Sequence, residues 1–320
     1  MKKNLLMAIT AVMVMSSCSK NEMVDTTVSA NTPIGFSSYM GTTTKGVSLD
    51  PASFLEFEVS AYHTTEAITA TGAKTEYINA DKVTKNGNTW ASTDTHYWPT
   101  TGNLSFYAYA PLTYVTYVKA TGATMPGITY TSPVAVAEQK DVVVAKAENK
   151  TSADDGGTSV AMTFGHALTK INFSATGAEV GFTYKVTSLK VANVKNVGTY
   201  TFATAPAWST TDDVVEYTYL TGGSVIISDV ATIKLQESDD ASLMLIPQNA
   251  SAITVTVAYT VSKDGVEISN TPAAVTTLAG TWEIGKNIRY NLTLPVNGKK
   301  ITFTASVDAW VPETPGTITR

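Results

Sequence analysis

Ile288-Arg289-Tyr290-Asn291-Leu292-Thr293-Leu294 and Ile301-Thr302-Phe303-Thr304-Ala305-Ser306-Val307 flank the dipeptide Asn297-Gly298, and both arms alternate residue by residue. Ile288, Tyr290, Leu292 and Leu294 fall on one face, with Arg289, Asn291 and Thr293 on the other. A period of two places successive side chains on opposite faces of an extended chain, so each arm reads as a strand with one face toward a core. Asn-Gly tolerates the positive φ that a tight hairpin turn demands. The segment is therefore expected to be an antiparallel hairpin.

The same period recurs upstream. Leu55, Phe57, Val59 and Ala61 alternate with Glu56, Glu58, Ser60 and Tyr62, and Leu104, Phe106, Ala108 and Ala110 with Ser105, Tyr107 and Tyr109. Ile253, Val255, Val257, Tyr259 and Val261 do so with threonines. Further turn dipeptides stand at Asn86-Gly87 and Asp264-Gly265. No amphipathic helix of more than a few turns is evident. The expected class is all-β, with antiparallel sandwiches preferred to a single barrel.

The chain has 320 residues, 43% hydrophobic and only 15% charged, with a net charge of −5. That is apolar material for about two domains, and the acidic balance argues against nucleic acid as a partner. The polar, glycine-rich stretch Asn149 to Gly157 is the expected break, giving an N-terminal domain over 32–157 and a C-terminal one over 158–320. Met1-Lys2-Lys3, an apolar run from Leu5 to Met15 and Ser16-Ser17-Cys18 form a secretory leader ending at the only cysteine. The apolar run is too short to span a bilayer. Residues 1–18 are expected to be a lipoprotein signal, with lipid on Cys18 and a polar tether over 19–31. An ordinary cleaved signal is the alternative.

Chemistry-bearing patterns are sparse. His63, His96 and His166 have no second histidine at ligand spacing, and His166 reads as a hydrogen-bonded structural residue. Asp154-Asp155-Gly156 and Ser238-Asp239-Asp240 lack the alternating spacing of a calcium loop. Glu56 and Glu58 are paired carboxylates without an evident opposed partner. No phosphate loop, nucleophile elbow or zinc helix motif is present. No catalytic residue, metal or cofactor is expected. Trp90, Tyr97, Trp98, Tyr107, Tyr109, Tyr114 and Tyr117 are either core and cross-strand aromatics, the preferred reading, or a carbohydrate platform.

Three segments resemble the fimbrillin family of the Bacteroidales, the subunits of type V pili, most of all its Mfa-like branch. They are Trp98-Pro99 with Leu104-Ser105-Phe106-Tyr107-Ala108-Tyr109-Ala110-Pro111, Met162-Thr163-Phe164-Gly165-His166-Ala167-Leu168-Thr169-Lys170-Ile171-Asn172-Phe173, and Arg289 to Leu294 with Ile301 to Val307 and Trp310. With the Cys18 leader the likeness covers nearly the whole chain. It implies two tandem transthyretin-like β-sandwich domains and assembly on the cell surface, at the outer membrane, by strand exchange. It also implies a processing protease that removes the first strand. By this resemblance the displaced strand is Ile34 to Met40, with Ile34, Phe36 and Met40 on one face. The candidate cleavage loop is Gly41 to Gly46, where the basic residue is Lys45 in place of an arginine, so either a protease accepting lysine acts there or no cleavage occurs and Lys45 is simply a surface-loop residue. A donor tail over 311–320 offers only Val311 and Ile318 as strongly apolar residues, and Pro312 and Pro315 cannot donate to a ladder. A tip or anchor position is therefore an alternative to the stalk. The implied partners are other pilus subunits in a homo- or hetero-polymer, the protease, the membrane through its lipid anchor, and a host or bacterial surface glycan or protein. The rival reading is a surface glycan-binding lipoprotein that does not polymerise.

Overall fold

The computed structural model describes residues 32–40, 54–236, 242–297 and 300–310. Nearly all of the regular structure is strand. Among the described residues, helix is confined to the single turn Ser152–Asp155 and the 3-10 turn Val136–Glu138.

Seven strands form the first sheet: β1 (Gly35–Met40), β2 (Glu56–Thr64), β3 (Thr75–Asn86), β4 (Thr89–Ser92), β5 (Asn103–Ala110), β8 (Val143–Lys150) and β9 (Ser159–His166). Their order is β1-β4-β3-β2-β5-β8-β9, and β9 returns to β1, so the sheet closes into a barrel. Sequence patterning favours open sandwiches. The difference lies in β1, whose pairing on both sides joins what would otherwise be two free edges. The expected domain junction, after Gly157, lies in the connection between β8 and β9, which neighbour each other in this sheet. Phe36, Phe57, Val59, Phe106, Val143, Met162 and Phe164 fill the interior.

The second half of the chain builds two more sheets. One follows the order β16-β10-β20-β21, with β17 also on β10: β10 (Thr169–Gly177), β16 (Thr232–Lys234), β17 (Leu243–Leu245), β20 (Lys286–Leu294) and β21 (Thr302–Ala309). The other follows β14-β11-β18-β19, with β15 also on β11: β11 (Thr183–Lys195), β14 (Val214–Leu220), β15 (Val225–Ser228), β18 (Thr254–Lys263) and β19 (Val266–Thr277). Ile171, Phe173, Tyr290 and Leu292 of the first meet Tyr184, Leu189, Val257 and Tyr259 of the second in one core, the packing of a β-sandwich. The Asp264-Gly265 turn is as the sequence predicts: Lys263 pairs with Val266, and both turn residues have positive φ, +50° and +82°. Lys286 to Thr293 pair antiparallel with Thr302 to Ala309, so the two arms form the expected ladder; Gly298 lies outside the described residues. At Asn86-Gly87 the hairpin forms one residue later: Asn86 pairs with Thr89, leaving Gly87 and Asn88 as the two-residue loop.

A four-stranded sheet, β13-β12-β7-β6, joins the halves: β6 (Val115–Val118), β7 (Gly127–Thr131), β12 (Val197–Thr201) and β13 (Ala207–Thr210). β7 pairs antiparallel with β12 from Thr131↔Val197 to Gly127↔Thr201. Its inner residues, with Tyr62, Tyr107, Tyr109, Leu168, Met244, Ile246 and Trp310, form a third apolar cluster. This cluster covers the face of β5 that sequence alternation assigns to water. Tyr107 and Tyr109 are buried there and keep their hydroxyls satisfied: Tyr107 donates to Glu148 Oε1 at 2.9 Å, and Tyr109 donates to Glu58 Oε1. Tyr62 Oη accepts from the Ala120 amide at 2.8 Å. At the sheet edge β21, the alternation also overstates burial. Ile301 is buried, but Ala305 is exposed and Val307 is 57% exposed.

Candidate functional site

β1 is the element on which the first barrel depends for closure. Its inward residues follow the period of two. Ile34 just before it and Phe36 within it are 5% and 3% exposed, and the phenyl ring of Phe36 sits edge-on to Phe106 at 5.7 Å and to Phe57 at 6.2 Å. Burial of two such side chains is worth about 3–6 kcal/mol in apolar area, before the entropy of ordering the strand is charged against it.

The two edges of β1 are held unequally. Along β9 it forms a parallel ladder from Gly35↔Ser159 to Met40↔Phe164. Toward β4 the ladder has one registered pair, Phe36↔Trp90. Just before β1, the Ile34 amide donates to the His96 carbonyl at 2.8 Å, and the Trp98 amide donates to the Thr32 carbonyl at 3.0 Å. Beyond Phe36, the stretch Ser37 to Met40 has no registered partner on that side among the described residues. β4 runs antiparallel to β1 and begins at Thr89, so this half of β1 overshoots the β3–β4 hairpin.

Ser38 breaks the apolar alternation. It lies in register with Met162, itself fully buried, and its Oγ is buried with no hydrogen-bond partner among the described residues. The slot that β1 fills is lined on the β9 side by Val160, Met162 and Phe164 and on its floor by Phe57 and Phe106.

The sequence-predicted residues distribute as follows. Ile34 and Phe36 come together in the slot, and Met40 ends the strand with its backbone paired to Phe164. Cys18, Lys45, Val311 and Ile318 lie outside the described residues. Ser38 and the buttress from Thr32 to His96 and Trp98 escaped sequence reasoning. The serine between Phe36 and Met40 was a visible signal. The buttress depends on a long-range contact that alternation does not encode.

The remaining polar candidates serve structure. His96 Nε2 lies 2.9 Å from Asp81 Oδ2, and His63 Nε2 lies 2.8 Å from the Thr101 carbonyl. His166 Nδ1 lies 2.7 Å from Asp141 Oδ2, with the imidazole stacked on Trp310 at 4.1 Å. Glu56 pairs with Lys82, and Glu58 accepts from Tyr109. Burial raises the Glu58 pKa; the Tyr109 hydrogen bond opposes this, and the nearby Asp81 carboxylate adds to it. Of the aromatic group, Trp98, Tyr107 and Tyr109 are buried, whereas Tyr97 and Tyr114 are 46% and 47% exposed. Among the described residues, no group of three or more His, Cys, Asp or Glu is arranged to hold a metal ion.

Comparison with known proteins bears on this architecture. Residues 53–310 match the family described as fimbrillin-like. No curated protein matches the sequence. Among solved structures, a fimbrial protein from Bacteroides vulgatus ATCC 8482 superposes with a TM-score of 0.70 at 21% identity, covering 88% of this chain and all of that one. A fimbrilin from Porphyromonas gingivalis W83 superposes with a TM-score of 0.50 at 10% identity, over 90% of this chain and all of that one. At these identities the likeness is one of fold.

Proposed function

The chain belongs to the fimbrillin-like family, and from that premise we propose that it is a structural subunit of a cell-surface pilus whose first strand is exchanged for a strand of another subunit. The observation that carries the reading is the thin closure of the barrel by β1: a full ladder on β9 and a single registered pair on β4. Removal of this strand would bare Phe57, Phe106, Val160, Met162 and Phe164 together with the unpaired edge of β9. An apolar trench beside a free sheet edge is completed by strand addition from another chain. Such a contact runs head to tail and does not close, so it grows as a filament.

Lipid on Cys18 tethers the exported chain to the outer membrane, and a protease cuts the loop at Lys45, freeing β1. Two tandem transthyretin-like units, the barrel and the sandwich, are the repeating body. Val311 and Ile318 make a weak donor in 311–320, which favours a tip or anchor position.

Limited digestion of the purified chain tests this. Cleavage near Lys45 is expected to yield a fragment lacking β1, followed by a ladder of multimers on denaturing gels and filaments in electron micrographs. A clipped chain that stays monomeric at high concentration, with β1 still bound, refutes strand exchange. A resistant monomer that binds polysaccharide instead establishes the glycan-binding lipoprotein.

A further inference from the structure

The occupant of the slot fits it imperfectly, and the misfit has a definite chemistry. Three inward positions can be followed along β1. Ile34 and Phe36 place large apolar side chains in the barrel, and the third position on that face is Ser38, a half-buried residue whose Oγ is itself buried. The Ser38 hydroxyl has been withdrawn from water beside Met162 and receives no hydrogen bond among the described residues. A hydroxyl in that condition carries its full desolvation penalty. The same half of the strand is the half without a registered partner toward β4. Two weaknesses of different origin therefore coincide at the C-terminal half of β1, while its N-terminal half is anchored by Phe36 and by the Thr32–Trp98 and Ile34–His96 bonds.

We infer that the slot selects an incoming strand from another protein chain with inward side chains in the order large apolar, large apolar, small apolar, the third taking the Ser38 position opposite Met162. This deepens the strand-exchange reading and rests on it. The native strand meets the first two requirements and fails the third. A replacement with alanine at that register position keeps the ladder on β9, adds no volume, and buries no orphaned hydroxyl. The difference acts as a bias: the slot prefers the incomer to its own β1, and β1 opens from its C-terminal half first.

Amide hydrogen exchange on the full-length chain tests the slot without requiring polymers. Ser38→Ala is expected to slow exchange across Ser37 to Met40 and across Ala161 to Phe164 by about fivefold or more, the lower end of what an unsatisfied buried hydroxyl costs. Ser37→Ala changes the adjacent, outward-facing residue and is expected to leave those rates unchanged. Equal or faster exchange in Ser38→Ala overturns the inference, as does an equal slowing in Ser37→Ala, which would assign the effect to strand propensity. The pilus reading is scored separately by clipping. There Ser38→Ala should delay multimer growth, because its own strand leaves more slowly. Failure of both proteins to polymerise would count against the pilus reading and leave the exchange result standing.

Discussion

Replacing Phe36 with alanine should unlock the barrel locally and leave the sandwich intact. The side chain is 3% exposed and contacts Phe57 and Phe106 edge-to-face. A Phe→Ala change in a core costs about 3–5 kcal/mol, combining lost transfer energy with the cavity left behind. The cost is expected to fall on β1 and on its partner β9, because β1 meets β4 at one registered pair and β9 meets β8 at two, whereas β2 and β5 are held by a continuous antiparallel ladder from Glu58↔Tyr109 to Thr64↔Asn103. Strand opening then becomes a sub-global event with its own free energy. A loss of 3 kcal/mol accelerates exchange from that opened state by about 150-fold. The assay is residue-resolved exchange, comparing amides of β1 and β9 with those of β11 and β18. Acceleration confined to Gly35–Met40 and Ser159–Phe164 supports the reasoning. If β18 amides around Val257 accelerate by the same factor, β1 is not separable from the global fold, and the argument for a releasable strand fails.

Two further outcomes follow from groups outside the slot. Burial raises the Glu58 pKa, so its ionised form is disfavoured in the folded state; that contribution favours folding at low pH and is lost as pH rises through the folded value. Glu58→Gln should therefore stabilise the protein at neutral pH, by about 1 kcal/mol or less given the partial exposure of the group. The gain should vanish as pH falls through the carboxylate range, read from denaturant midpoints at several pH values. Trp310→Ala removes the ring stacked on His166 and leaves a cavity in the junction cluster, a loss of about 3 kcal/mol or more. Calorimetry is expected to resolve two transitions where the parent shows one, and a single transition merely shifted downward would argue against a junction of independent importance.

Much of the fold was legible because alternation and turn chemistry agreed. Tyr259 and Val261 point inward, Asp264-Gly265 turns, and the returning strand pairs with the register that this turn sets. The same logic placed Ile288 to Leu294 and its partner. It failed where a face that looked wet was covered by chain from elsewhere. Tyr107 and Tyr109 resemble solvent-facing residues locally, and only the sheet containing β7 and β12 buries them. That sheet is itself made of short strands, Val115–Val118 and Ala207–Thr210 among them, too brief for a period to register. The candidate strand was readable from Ile34, Phe36 and Met40. The way β1 closes the barrel was not, because it depends on a parallel pairing with β9, more than a hundred residues away.

The backbone ladder between β7 and β12 has a mechanical consequence. Tension applied between the barrel and the sandwich does not act on a slack hinge. Separating the two halves has to break the paired peptide groups from Gly127 to Thr131 and Val197 to Thr201, with the aromatic packing of Tyr130, Tyr200 and Phe202 resisting alongside. Relative bending of barrel and sandwich is thereby opposed by a backbone ladder as well as by side-chain packing.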